Sequence, residues 1–495
     1  MAAMVVAAEP FRDILRRIFT LAWPSILSEL STPMLGLVDT IVVGHFPSSV
    51  DLGALALAIA AYNPLIVVFN FLRMGFGGVI SQAMGAKDEA ELMACAVRGV
   101  LLGISVGSLL CIIREPLATL IFGYVLHEPS PETLQQARSY FQVRILGAPA
   151  ALSNYVVQAW LINVQRTDLA LAANLILNLS NAALCISFGY VLDYGIVGVA
   201  TATAVSNYLA FTFGIIQISR VSQQLPWLES GRRPSWWPSI NWPLVFQSQR
   251  LLKLASLNGN VVLRSICMMT IVTDFTSLSV RLGSSALAGN NLLMQLQMMI
   301  SFAADGFANA GEALIGEAIG QGDSGRVRLI FKGLMSWGLV LGFVFMLMFV
   351  AGGHCILTAL TSHEDVVSYA SDYLPWQWAA PILSFTAYLM DGVFVGAAKP
   401  SNMRDATFMA LVVFWTVGHI SADNNVLWGA YMLHLITRAA VLLYWYPAVE
   451  DVADERNKYR ETLLPSGWSY GPMSADRRWV QERKDSQAHH GTAVL

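Results

Sequence analysis

The chain has 495 residues, of which 55% are hydrophobic and 13% charged, with a mean hydropathy of +0.54. That charged share is about half that of a soluble globular protein, which excludes a water-soluble fold and fits a polytopic helical membrane protein. The formal net charge of −3 supplies no basic surplus for a phosphate backbone, so nucleic acid is excluded as a partner; the five cysteines stand singly, without disulfide or zinc spacing.

Apolar runs at 18–45, 52–83, 92–113, 139–163, 168–192 and 194–218, then 253–280, 283–318, 327–353, 371–398, 405–421 and 425–447, predict twelve transmembrane helices in two groups of six. The first run follows Arg12, Arg16 and Arg17 but is too long for a signal-peptide core, and it reads as a retained helix. The predicted organisation is an N-terminal segment 1–17, an N-lobe 18–218, a linker 219–250, a C-lobe 251–447 and a polar tail 448–495. Tryptophans 227, 236, 237 and 242 alternate with prolines in the linker, as suits a segment lying at the headgroup level. The tail is polar and mixed in charge, and is expected to be poorly ordered. With a cytoplasmic N-terminus, the inside loops gather most of the Lys and Arg, while the outside loops carry little beyond Arg114 and Arg281. The charge bias therefore predicts that both termini are cytoplasmic in a multi-pass protein of the cell inner membrane.

The two groups of six repeat each other. Phe71-Leu72-Arg73-Met74-Gly75-Phe76 followed by Gly85 matches Phe302-Ala303-Ala304-Asp305-Gly306-Phe307 followed by Gly320. Parallel repeats of this kind mark transporters whose two bundles rock about a central path.

An ionisable side chain at membrane depth is costly, by roughly 2.5–3.5 kcal/mol on insertion scales, so each one marks a function or an ion pair. The candidates are Glu29 and Asp39 in the first run, Arg264 and Asp274 in the seventh, Asp305 and Glu312 in the eighth, Asp391 in the tenth and Arg438 in the twelfth. Asp39 lies six residues after Pro33, whose missing N–H frees a backbone carbonyl that a carboxylate and water can join. Burial disfavours the charged form of a carboxylate in general, which suits proton exchange; a fixed arginine or hydroxyl partner is the bland alternative. Asp305, Asn309 and Glu312, spaced i, i+4 and i+7, share one face, either as a cation or substrate path or as a network with Arg264 or Arg438. Asp391 and Arg404 are candidates for a structural lock. Asn154, Tyr155 and Gln158, then Asn174, Asn178 and Asn181, supply uncharged polar groups; the last three, spaced four and three apart, form a face that either meets Asp39 or simply joins helices. No phosphate-binding loop, HExxH or GxSxG motif is present, so no enzyme activity is expected and uphill transport must draw on an ion gradient.

The run Pro33-Met34-Leu35-Gly36-Leu37-Val38-Asp39-Thr40, with Gln82-Ala83-Met84-Gly85-Ala86-Lys87-Asp88, resembles the multidrug and toxic compound extrusion (MATE) transporters. Arg281-Leu282-Gly283-Ser284, Asp305-Gly306-Phe307-Ala308-Asn309-Ala310-Gly311-Glu312 and Tyr388-Leu389-Met390-Asp391-Gly392 resemble the DinF-like branch. The resemblance implies two pseudo-symmetric six-helix bundles and export of organic, often cationic compounds against H⁺ or Na⁺, with no cofactor and no metal. It places the cation-coupling carboxylate at Asp39, with Asn174 and Asn178 as its partner asparagines; without the second aspartate of many relatives, Asp39 is expected to work alone or with Glu29. Many relatives carry an aspartate where this chain reads Ser180-Asn181. A monomeric, proton-driven exporter of hydrophobic cations is the expectation; Na⁺ coupling, or a flippase for lipid-linked precursors, is the alternative.

Overall fold

The structure, a computed structural model, describes residues 9–46, 49–125, 130–225 and 240–463. The linker residues Pro226, Trp227, Pro234, Trp236, Trp237 and Pro238, and the tail beyond residue 463, lie outside the described residues. The N-lobe helices are α1 (Phe11–Gly44), α2 (Val50–Gly85), α3 (Glu89–Ile112), α4 (Pro131–Asn163), α5 (Thr167–Gly189) and α6 (Gly195–Gln223). The C-lobe helices are α7 (Ser248–Arg281), α8 (Ser284–Gln321), α9 (Ser324–Leu360), α10 (Leu374–Gly396), α11 (Pro400–Gly418) and α12 (Asn424–Tyr444). Ten of the twelve are apolar enough to cross a membrane on hydropathy alone; α8, with Asn290, Asn291, Gln295 and Gln297 in its first half and Asp305, Asn309 and Glu312 in its second, and α11 fall short.

Local chemistry accounts for where these helices start and bend. Side chains of Asp88, Ser130, Asp323 and Asp423 accept hydrogen bonds from the first backbone N–H groups of α3, α4, α9 and α12. Hydropathy alone starts the fourth run at 139, but the Ser130 cap and Pro131 at the first helical position begin α4 earlier, in a polar stretch. Within α2, Pro64 is followed by a tight 3₁₀ turn at Val68–Asn70, and α5 loosens into a π turn at Cys185–Val191.

Among the described residues, three large apolar cores and a small cluster of Ala94, Val97, Ile240 and Val245, where the linker meets α3, hold the molecule. One lies in the N-lobe and takes in the first turns of α7 through Leu254. A second is mostly C-lobe but includes Ile14, Ile18, Leu21 and Ala22 of α1, together with Val449 and Ala453. A third, around Phe275, Phe385 and Trp428, is drawn among the described residues from the C-lobe alone. The lobes therefore join at one end and stand as separate cores at the other.

Glycines of the repeat form the joint. A methyl at Gly75 would overlap Asn258 of α7, and one at Gly306 would overlap Ile26 of α1; likewise Gly85 faces the Glu317 carbonyl and Gly320 the Gln82 carbonyl. Each repeat thus presents its glycines to the other lobe, and backbone meets backbone across the seam. Arg17 on α1 donates to Glu317 at 2.9 Å and to Gln165 at 2.7 Å, which closes the rim of this end.

The tail departs from its predicted disorder. Pro447–Leu463 is a helix, because Val449 and Ala453 give it an apolar stripe that packs into the second core, while Arg328 donates to Glu450 at 2.8 Å. Arg456 also donates to Gln82 of the N-lobe at 3.4 Å, so this helix touches both lobes at the closed end. Of the linker, Trp242–Val245 is a single turn held to α3 by Arg98, which donates to the Val245 carbonyl at 2.8 Å.

Candidate functional site

Asp39 is fully buried on α1 and is surrounded by donors from three other helices. Tyr140 Oη donates to it at 3.0 Å, Arg144 Nη1 at 3.1 Å and Asn181 Nδ2 at 3.4 Å, with Thr203 and Cys185 completing the shell. Arg144 also contacts the Tyr140 hydroxyl and stacks over the Tyr62 ring at 4.7 Å. The carboxylate therefore sits in a neutral ion pair in which both of its oxygens are bonded, while the Arg144 Nε has no hydrogen-bond partner.

Asn174 and Asn178 do not reach it, which corrects the expected coupling set. Asn174 donates to Ser28 Oγ at 2.5 Å, Asn178 to the Ser31 carbonyl at 3.0 Å, and Asn181 to Asp39. The three amides lie one turn apart along α5, against Ser28, Ser31 and Asp39 of α1, and only the third meets the carboxylate. Pro33 lies inside α1, which continues through it from Phe11 to Gly44.

A second polar group spans the seam. Asn309 accepts from Arg73 Nη1 of α2 at 2.6 Å and donates to Glu29 of α1 at 3.3 Å. Asn163 of α4 donates to Glu312 at 2.7 Å. Asp305 lies within electrostatic range of Glu29, Arg73 and Arg264, and Tyr155 within range of Arg73 and Glu29. The stripe read on α8 is therefore the C-lobe half of an inter-lobe network, with Glu29 in it rather than beside Asp39.

In the C-lobe, Asp391 is held by both Arg264 and Arg438. The expected lock with Arg404 is absent: Arg404 bonds Asp405 and Asn260, each at 2.7 Å, because it begins α11 near the surface, beyond reach of Asp391. With Arg404 and Asp405 35% and 45% exposed, Arg404→Met is expected to cost less than about 1 kcal/mol in a thermal unfolding assay. Two substrate-path candidates also lie apart. Asn154 donates to the Asn207 carbonyl at 3.1 Å and joins α4 to α6, and Asp274 faces His419 at 3.8 Å between α7 and α11.

Sequence reading missed Arg73, Arg144 and Asn163, whereas Asn181 stood on the α5 face expected to meet Asp39 and does meet it. Arg73 and Arg144 carried a usable signal, since each is an arginine inside a run long enough to span a bilayer. Among the described residues no group of three or more His, Cys, Asp or Glu is placed to hold a metal ion.

The profile of one known family, MatE, matches residues 24–187 and 261–422, one segment in each lobe. The chain belongs to the MatE family. Its MatE relatives include DNA damage-inducible protein F of Escherichia coli (strain K12), 31% identical over 81% of this chain and 84% of that protein, which places it in the DinF-like branch. The probable multidrug resistance protein NorM of Acinetobacter baylyi (strain ATCC 33305 / BD413 / ADP1) is 25% identical over 82% of this chain and 88% of its own length. Among solved structures, the outward-facing conformation of a multidrug resistance MATE family transporter superposes with a TM-score of 0.74 at 18% identity, covering 90% of this chain and 99% of that one. This MatE chain is accordingly a multi-pass membrane transporter rather than an enzyme, built as two six-helix bundles.

Proposed function

We propose that this protein is a secondary antiporter that exports hydrophobic, cationic organic compounds in exchange for H⁺. The observation that carries the choice of ion is the donor set around its buried carboxylates. Asp39 faces a guanidinium, a phenol and an amide N–H, Asp391 faces two guanidinium groups, and Glu312 faces an amide N–H. A sodium ion needs a shell of oxygens turned toward it, whereas a proton needs one lone pair. Carboxylates near the seam, Glu29 and Asp305, with the aromatic Tyr155 beside Arg73, suit a cationic aromatic substrate. A relative named for multidrug resistance supports the export of organic compounds.

The charge bias of the loops supports a cytoplasmic position for the sealed end and for both termini. On that placement the joined end faces the cytoplasm and the separate cores face outward, in the inner membrane of the cell. The test is transport in reconstituted vesicles with ethidium as the probe. An imposed pH gradient, at fixed sodium, is expected to drive ethidium accumulation and to be partly dissipated by it. Accumulation that follows a sodium gradient at fixed pH, with no proton movement, would overturn the choice of ion.

A further inference from the structure

Among the described residues, four carboxylates of the helices are buried: Asp39, Glu91, Glu312 and Asp391. Three are gripped by arginine, Asp39 by Arg144, Glu91 by Arg98 and Arg250, and Asp391 by Arg264 and Arg438. Glu312 has no such bond. It is 4% exposed and accepts instead from Asn163 Nδ2, across the seam, at 2.7 Å. Asn163 is wholly buried, and its own Oδ1 has no hydrogen-bond partner. A methyl at residue 77 would overlap Glu312 Oε1, so the carboxyl is pressed against the α2 backbone at a glycine, and α10 closes over the Glu312 carbonyl at Gly396.

The charged groups around it are few. Arg73 faces Glu312 from α2, but its 2.6 Å bond goes to Asn309. From α1, Glu29 bonds Asn309; Asp305 lies two turns earlier on α8 itself; on α10, Asp391 is already held by two arginines. An anionic Glu312 in the closed seam would be a buried charge without a directly bonded counter-ion, the costly case for a low-dielectric interior. A neutral Glu312 avoids that cost. Its O–H can donate to the Asn163 amide oxygen, which satisfies both groups at once.

We propose that Glu312, not Asp39, carries the exchanged proton, and that Asn163 is the positioning residue that ties its protonation to closure of the seam. This rests on the proton-antiport reading above. While the seam is closed, H⁺ from the outer side adds to a Glu312 carboxylate oxygen, forming the O–H bond, and the neutral acid stabilises the closed seam. When the seam opens to the cytoplasm, the O–H bond breaks, the electron pair stays on the carboxylate, and the proton passes to water. Closure thus favours the protonated form, and opening favours the anion to which a cationic substrate is drawn.

The test uses the full chain, with binding of tetraphenylphosphonium measured across a pH series in detergent and substrate-evoked proton movement measured in vesicles. Wild type is expected to bind the probe more weakly at low pH, by roughly 5- to 150-fold, the usual range of coupling between two sites. Glu312→Gln, which mimics the neutral acid, is expected to flatten that profile and to abolish proton movement. Asn163→Ala removes the amide oxygen that accepts from the neutral acid in the closed seam, so the midpoint of the profile is expected to move to lower pH by up to about one unit; this second variant carries the test if the first does not fold. A Glu312→Gln protein that keeps the wild-type pH profile, or an Asn163→Ala protein with an unmoved midpoint, overturns the assignment. A wild type that moves no protons overturns the antiport reading and this assignment with it, and is told apart by showing in the unmutated chain. The double variant Asp39→Asn/Arg144→Met, neutral on both sides of the N-lobe pair, is expected to remain pH-dependent; loss of pH dependence there would return the role to Asp39.

Discussion

Replacing Arg144 with methionine is expected to cost this transporter about 3–5 kcal/mol of stability. Arg144 is 5% exposed and Asp39 is not exposed at all, so removing the guanidinium strands a carboxylate in a closed polar pocket. Tyr140, Asn181 and Thr203 can each offer Asp39 a hydrogen bond but no compensating charge. The double variant Asp39→Asn/Arg144→Met should recover most of the loss, because it removes both charges while keeping an amide for the surrounding donors. Thermal unfolding of the purified single and double variants provides the check. A single variant as stable as wild type would mean that the pair is open to water.

The second large effect is expected at the seam. Gly85 and Gly320 sit against the carbonyl oxygens of Glu317 and Gln82, which backbone geometry fixes, so an added methyl cannot be accommodated by turning a side chain. Gly85→Ala or Gly320→Ala should destabilise the closed seam by about 1–3 kcal/mol, the range for overpacking. At 1.4 kcal/mol per decade this moves the equilibrium between closed and open seam by roughly 5- to 150-fold toward open. Distances between spin labels at Lys87 and Gly325, on exposed turns of the two lobes, should lengthen in the variants. Unchanged distance distributions would show that the seam does not set the resting state.

Much of this arrangement was legible before any coordinates. Periodicity and the positions of the prolines and glycines marked the helices, and the offset repeat marked the two lobes, because apolar length is what a bilayer imposes. The i, i+4, i+7 spacing of Asp305, Asn309 and Glu312 gave one face correctly, since spacing along a helix is a local property. Partners across the lobes were not legible in this way. Arg144 is 105 residues from Asp39 and Asn163 is 149 residues from Glu312, and no local pattern encodes those meetings. The assignment of Asn174 and Asn178 to Asp39 failed by one turn, since spacing puts all three asparagines on one face of α5 without fixing its height against α1. Arg404 misled for a related reason: an acid and a base near two adjacent helix ends suggest a lock, but Asp391 had nearer arginines on α7 and α12.

The first and seventh helices each begin in the opposite lobe. Ile14 to Ala22 of α1 are embedded in the C-lobe core, whereas Val43, near its far end, belongs to the N-lobe core. Leu254 of α7 is embedded in the N-lobe core and Arg250 is fastened to Glu91, whereas Arg264 is anchored to Asp391 of the C-lobe. Neither helix can follow one half without being pulled by the other. Any rotation that parts the two halves is therefore absorbed as bending along these two struts. The backbone is weakest between Pro24 and Gly36 in α1, where two prolines interrupt the hydrogen bonding, and at Gly259 in α7, which has no neighbour within 4 Å of where a side chain would stand. The molecule is thus two bodies joined by a pair of flexing beams, and its stiffness against opening is a property of α1 and α7 as much as of the seam.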